Sequence, residues 1–148
     1  LQMIVTEPGP PLVKQLVAHA DRHLSLKQAA NGNLIIGGGW PATLDPDAAL
    51  TANLRASIEG NLWVASRVLP AVRRLHMLRS WAGMNVNIDG APILGAVPGV
   101  PGFFNAVSSS GYTLGPIVAR LTVDAMLGRG GSRALAPFLI DRFAGASG

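Results

Sequence analysis

Apolar positions in the first forty residues fall in short blocks bounded by turn formers, the pattern of a sheet. Gln2-Met-Ile-Val-Thr6 reads as a buried strand, and Glu7-Pro-Gly-Pro-Pro11 ends it because proline cannot donate to a ladder. Residues 12–20 suit either a strand or a short helix, since Val13, Leu16, Val17 and Ala20 also sit at helical spacing. Residues 23–28 and 33–37 flank Asn31-Gly32, and Asn-Gly between two apolar runs predicts a hairpin. From Asp45-Pro-Asp47 the period changes. Leu50, Leu54, Ile58, Leu62, Ala65 and Leu69 recur near helical spacing, predicting one amphipathic helix over about 47–69, softened at Gly60-Asn61 and stopped by Pro70.

Beyond a short connector at 71–75, residues 76–86 read as a strand containing Trp81, continued through Gly83-Met-Asn85-Val-Asn87 to a turn at Asp89-Gly90. Residues 91–95 and 103–107 form two further short strands. A second helix runs from Tyr112 or Thr113 to Leu127, with Ile117, Val118, Leu121, Ala125 and Met126 as its core face and Gly128 as its stop. Gly130-Gly131 is a flexible joint, and residues 135–143 add a small strand or turn.

From Gly90 to Ala119 no side chain is charged, yet Pro92, Pro98 and Pro101 interrupt the run. Lipid-exposed backbone must be continuously hydrogen-bonded, so this is no membrane helix. The stretch ends at a helix entrance, Ser110-Gly-Tyr-Thr-Leu-Gly-Pro116, with Ser110 or Thr113 as cap and Pro116 in the first turn. Unpaired N–H groups and partial positive charge at such an end favour an anion, or a carbonyl that gains charge. A plain capped helix after a buried strand is the simpler account of the same residues.

The 148 residues, 49% of them hydrophobic and 14% charged, suffice for one domain but are apolar for a free-standing one, so some surface is expected to meet another part of the protein, a cofactor or a subunit. The chain starts without methionine or a basic leader and reads as the middle of a longer protein. Lack of cysteine removes disulfides and thiol chemistry and fits a reducing, cytoplasmic compartment. The net charge of +4 resides in one loose group, Arg67, Arg73, Arg74 and Arg79, and in scattered arginines without interleaved aromatics, so no nucleic-acid partner is expected. His19, His23 and His76 are isolated, and no metal site is expected. Ser108-Ser-Ser110 lacks the glycine of a nucleophile elbow. Gly37-Gly-Gly39-Trp-Pro-Ala42 matches a dinucleotide fingerprint only formally, because Pro41 and Pro46 prevent the direct turn into a helix.

The order of these pieces carries a resemblance. Asp89-Gly-x-Pro-Ile-x-Gly95, a proline-rich turn, Gly-Phe-Phe-x-Ala, Ser-Gly-x-x-x-Gly-Pro116 and the final Asp141-Arg-Phe143 resemble the C-terminal portion of D-amino-acid-oxidase-like flavoproteins, as do the hairpin Gln28-x-x-Asn-Gly-x-Leu-Ile-Ile-Gly-Gly38 and the opening Gln2-Met-x-Val-Thr-Glu-Pro8. The likeness is to sarcosine oxidase β-type subunits, glycine oxidases and the related amine and opine dehydrogenases.

The resemblance implies an α+β fold. Residues 1–86 would supply part of an antiparallel substrate domain, and 87–148 would return to complete a flavin domain. It implies FAD, held at Pro92, Gly95, Ser110, Gly111, Tyr112, Thr113 and Leu114, with amides directed at the carbonyl edge beside flavin N1. The implied reaction is hydride removal from an amine or amino acid and hydrolysis of the imine. The implied partners are that small molecule, a missing N-terminal half, and other subunits or further copies of the chain. Some members of the family it resembles place an arginine just after Trp-Ala-Gly-Leu to pair with the substrate carboxylate. Here Met84 and Asn85 follow Trp81-Ala-Gly83 as the substrate-side residues, and Arg79 is the remaining cationic candidate, equally readable as a surface charge. The segment between Gly83 and Asp89 is also shorter than in glycine oxidases, and the adenosine-diphosphate fingerprint is absent. The isolated piece is therefore expected to be inactive. The alternative class is a non-enzymatic α+β interaction or structural module whose apolar face a partner covers.

Overall fold

The Asn31-Gly32 turn fixes the register of the main sheet. Gly32 adopts φ +91°, a conformation open to glycine, and its N–H donates to Ala29 O at 2.9 Å. The turn joins β3 (Ser25–Gln28) to β4 (Asn33–Gly37), with Leu26 opposite Ile36. These strands belong to an α+β computed structural model that describes residues 1–45, 47, 50–129 and 132–144 and divides into two compact units, Leu1–Met84 and Asn85–Gly148.

In the first unit β1 (Gln2–Pro8) lies between β4 and β7 (Met77–Ala82), and the five-stranded antiparallel sheet runs β2-β3-β4-β1-β7. Of residues 12–20, only Val17–Ala18 form a strand, β2, paired with Leu26 and Ser25. The loop before it is tied down by Gln28, whose Oε1 accepts from Leu12 N at 2.7 Å and whose Nε2 donates to Pro10 O at 2.8 Å. Ile4, Leu26, Leu34 and Ile36 meet Val64 and Ala65 of the helix α1 (Arg55–Val68) and Val72 of the 3-10 turn Pro70–Arg74. Strand alternation puts Met3, Val5, Lys27, Ile35, Arg79 and Trp81 on the opposite face.

The first helix starts later than its leucine spacing predicts. Thr43–Asp45 (β5) and Leu50–Ala52 (β6) pair instead, and Asp47 N–H closes on Asp45 Oδ1 at 3.0 Å. Long-range bonds hold this chain extended: Thr51 Oγ1 donates to Ala82 O, Asn53 Nδ2 to Ser80 Oγ, and Leu54 N to Gln2 Oε1. Leu50, 66% exposed, lies outside the core. Nor does the helix soften at Gly60-Asn61. Gly60 is the seat of Trp40, since a Cβ there would stand 2.5 Å from the indole, and buried Asn61 donates to Gly37 O at 2.9 Å. The glycines before Trp40 are equally structural. Met3 Sδ occupies the side-chain space of Gly37, Gly38 (φ +127°) lies against the Leu24 backbone, and β5 rather than a helix follows.

In the second unit β8 (Ile93–Ala96) and β9 (Phe104–Val107) form a hairpin packed against α2 (Gly111–Met126). Leu127 caps α2, and a Schellman arrangement ends it: Arg129 N–H reaches Asp124 O at 2.8 Å and Gly128 takes φ +63°. Val118 and Thr122 are its buried residues, whereas Ile117 and Met126, expected in the core face, are exposed. The inward stripe is thus rotated toward a threonine whose hydroxyl is satisfied by Val118 O at 2.8 Å. Residues 83–87 leave the sheet after β7 instead of extending it. Of the strand or turn expected over 135–143, the structure shows turns, 3-10 at Ala136–Phe138 and Ile140–Phe143, preceded by a four-residue α3 (Ser132–Leu135). The joint expected at Gly130-Gly131 lies outside the described residues. No helix among the described residues is long and apolar enough to cross a membrane.

Candidate functional site

The entrance of α2 is open. Ser110 holds the N-cap position with φ −98° and ψ 37°, not the extended backbone a capping serine uses, and makes no side-chain cap. The expected capping by Ser110 or Thr113 is therefore replaced by backbone bonds: Thr113 and Leu114 N–H donate to Ser110 O at 3.1 and 2.9 Å. The amides of Gly111 and Tyr112 have no acceptor within the helix. Ser110, Gly111, Tyr112 and Thr113 are exposed, Tyr112 completely, and Leu114 is half-buried. Pro116 lies deeper than the first turn, at the sixth helical residue, and removes the N–H that would donate to Tyr112 O.

The β8–β9 register brings Pro92 toward this entrance. Ile93 pairs with Val107, so Pro92 and Ser108 leave the same end of the ladder, with Ser110 two residues further on. Gly95 behaves differently from the other candidates. It pairs with Asn105, is buried, adopts φ +93°, and presents its missing Cβ to Leu139 Cδ2, which would lie 2.8 Å away. The close approach that glycine permits here is made by the chain's own C-terminal segment.

Sequence reasoning missed the partner of Asp89. Arg142 Nε donates to Asp89 Oδ2 at 2.7 Å and Nη2 to Oδ1 at 3.0 Å, a two-pronged ion pair. The guanidinium, joined by the Ala91 N–H, lowers the Asp89 carboxyl from 3.8 to about 2. Both residues stood in noticed motifs, but nothing in a one-dimensional pattern joins two charges 53 positions apart.

Of the substrate-side candidates, Arg79 and Met84 belong to the first unit and Asn85 begins the second. Arg79 projects from β7 opposite Val5, with its guanidinium carbon 5.5 Å from the Trp81 ring centroid. It borders a cleft of about 360 Å³ with Val5, Ile35, Leu78, Asn31 and Asn33. Met84, 65% exposed, and Asn85 are on irregular chain. Among the described residues no group of three or more His, Asp or Glu side chains is placed to hold a metal ion.

The family model described as "DAO: FAD dependent oxidoreductase" matches residues 1–125. The chain is 29% identical to the sarcosine oxidase subunit beta of Rhizobium meliloti, covering 97% of this chain and 34% of that protein. It is also 29% identical to the hydrogen cyanide synthase subunit HcnC of Pseudomonas aeruginosa, covering 96% and 33%. Among solved structures, L-proline dehydrogenase from P. horikoshii superposes with a TM-score of 0.73 at 19% identity, over 97% of this chain and 39% of that one. Glycine oxidase from Geobacillus kaustophilus superposes with 0.69 at 20% identity, over 95% and 38%. At these identities the solved structures establish a common fold. The chain spans about a third of the length of the curated relatives it matches.

Proposed function

This chain belongs to the DAO family of FAD-dependent oxidoreductases, and on that premise we propose that it is the C-terminal part of an enzyme oxidising a small amine or amino acid. Residues 1–86 contribute to the substrate-binding domain and 87–148 complete the flavin domain. The named relatives that act on sarcosine, glycine and proline support the substrate class. Those named as subunits support assembly with further chains.

What carries the reading is the first turn of α2. Its Gly111 and Tyr112 amides are uncapped and exposed, which fits the acceptor-rich carbonyl edge of an isoalloxazine. FAD, when bound, would supply the redox chemistry, hydride acceptance from the carbon beside the substrate nitrogen to leave an imine open to hydrolysis by water. The chain's part is electrostatic. The positive end of α2 favours negative charge on the ring edge by on the order of 1 kcal/mol. Ser110 O, already accepting two amides, keeps that turn rigid. Pro92, at the same end of the β8–β9 ladder, would border the cofactor beside it. Gly95 seats Leu139 behind the same ladder. Arg79, held over Trp81, is the cation offered to a carboxylate on the substrate, while Met84 and Asn85 border the same region of chain.

The full-length protein tests this directly. It should purify yellow with one FAD per chain and bleach anaerobically with sarcosine, glycine or proline. A colourless protein that cannot be reconstituted with FAD would refute the reading and leave an interaction module in its place.

A further inference from the structure

We infer that Arg142 is a positioning residue for the cofactor site, clamping the Asp89–Ala91 turn beside the open entrance of α2. The inference rests on the flavin reading above and adds a device to it.

Four hydrogen bonds from one guanidinium converge here. Besides the two to Asp89, Arg142 Nη2 donates to Ala91 O at 3.4 Å and Nη1 to Leu139 O at 3.1 Å. Its side chain is only 17% exposed, and its guanidinium carbon lies 4.3 Å from the Phe143 ring centroid. Asp89 Oδ1 also accepts from Ala91 N–H at 3.1 Å, so the turn is closed from within and gripped from outside. An exposed ion pair holding two flexible side chains contributes little. A planar fork with all its partners in place instead fixes orientation.

The position of the clamp gives it a function. The turn leads through Pro92 into β8, whose first residue pairs with the last residue of β9, and β9 passes through three serines into α2. Turn and helix entrance therefore bracket one end of a two-stranded ladder, and a hairpin of two short strands has little rigidity of its own. The C-terminal segment supplies it at two points, Leu139 in the slot of Gly95 and Arg142 on Asp89. Loosening the second point frees the ladder end from which the Gly111 and Tyr112 amides are aimed.

The test uses full-length holoprotein and its apoprotein, comparing wild type with R142A, R142K, D89N and the exchange D89R/R142D. Readouts are FAD affinity by titration of apoprotein, hydrogen exchange of the Gly111–Thr113 amides, and melting temperature. Outer partners that orient metal ligands change affinity by about tenfold or more, and a loss of that order is expected for R142A and D89N, with faster exchange at α2's first turn. R142K and the exchanged pair should recover part of it. Should R142A fail to fold, D89N decides. A folded D89N that binds FAD within twofold of wild type and exchanges normally would overturn the inference, whatever its melting temperature. A wild-type protein that takes up no FAD would instead overturn the reading beneath it, and the inference with it.

Discussion

Replacing Gly60 by alanine separates packing from propensity in α1. In an exposed helix interior the change stabilises by about 1 kcal/mol. Here a Cβ would lie 2.5 Å from both Cη2 and Cζ3 of Trp40. Carbon atoms in contact need about 3.5 Å or more, so the indole must retreat by roughly 1 Å. It is not free to do so. Trp40 Nε1–H donates to His23 O, its ring meets the His23 ring edge-on at a centroid distance of 6.3 Å, and it packs on the main core. Overpacking costs about 1–3 kcal/mol and a strained hydrogen bond about 1 more. Against the propensity gain, a net loss of about 1–3 kcal/mol remains, measurable by urea denaturation. In a Trp40→Ala background the obstacle is gone, and Gly60→Ala should stabilise by about 0.5–1 kcal/mol. Stabilisation by Gly60→Ala in the wild-type background would refute the packing described.

Two further outcomes concern the core and the ion pair. Leu34→Ala empties a fully buried site between the sheet and α1 and should destabilise by about 2–5 kcal/mol in the same assay; a loss below 1 kcal/mol would contradict its central place. Asp89, with its carboxyl at about 2 instead of 3.8, stabilises the second unit fully above pH 3.8. That contribution is lost as the pH falls through about 2. In a pH titration of unfolding followed in that unit, Asp89→Asn should remove this acid-dependent part; an unchanged acid limb would show that the pair contributes none.

The elements most legible in the sequence were those whose determinants are local. Asn31-Gly32 specified its hairpin because only a glycine-permissive turn joins such strands tightly, and Gly128 marked the end of α2 for the same reason. The start of α1 was misread because Leu50 and Leu54 keep helical spacing while side chains from β1 and β7 hold that chain extended. Gly60 read as a weak point because its neighbour in space, Trp40, is twenty positions away in sequence. For the proposed site, the motif order marked the α2 entrance and Pro92 as candidates. It could not show that Gly95 is filled by Leu139, that Ser110 leaves the helix uncapped, or that Arg142 returns to Asp89. Each depends on the path of the chain between the two positions.

The midpoint potential of the flavin in the full-length protein tests the proposed electrostatics of α2's first turn most directly. In the full-length flavoprotein Thr113→Glu sets a carboxylate among the Gly111 and Tyr112 amides and opposes the charge gained on reduction. About 1 kcal/mol corresponds to roughly 20 mV for a two-electron couple, so the potential should fall by at least that much, with Thr113→Gln close to wild type. A Thr113→Glu protein that keeps its FAD and its wild-type potential would contradict the assignment of this helix end to the flavin.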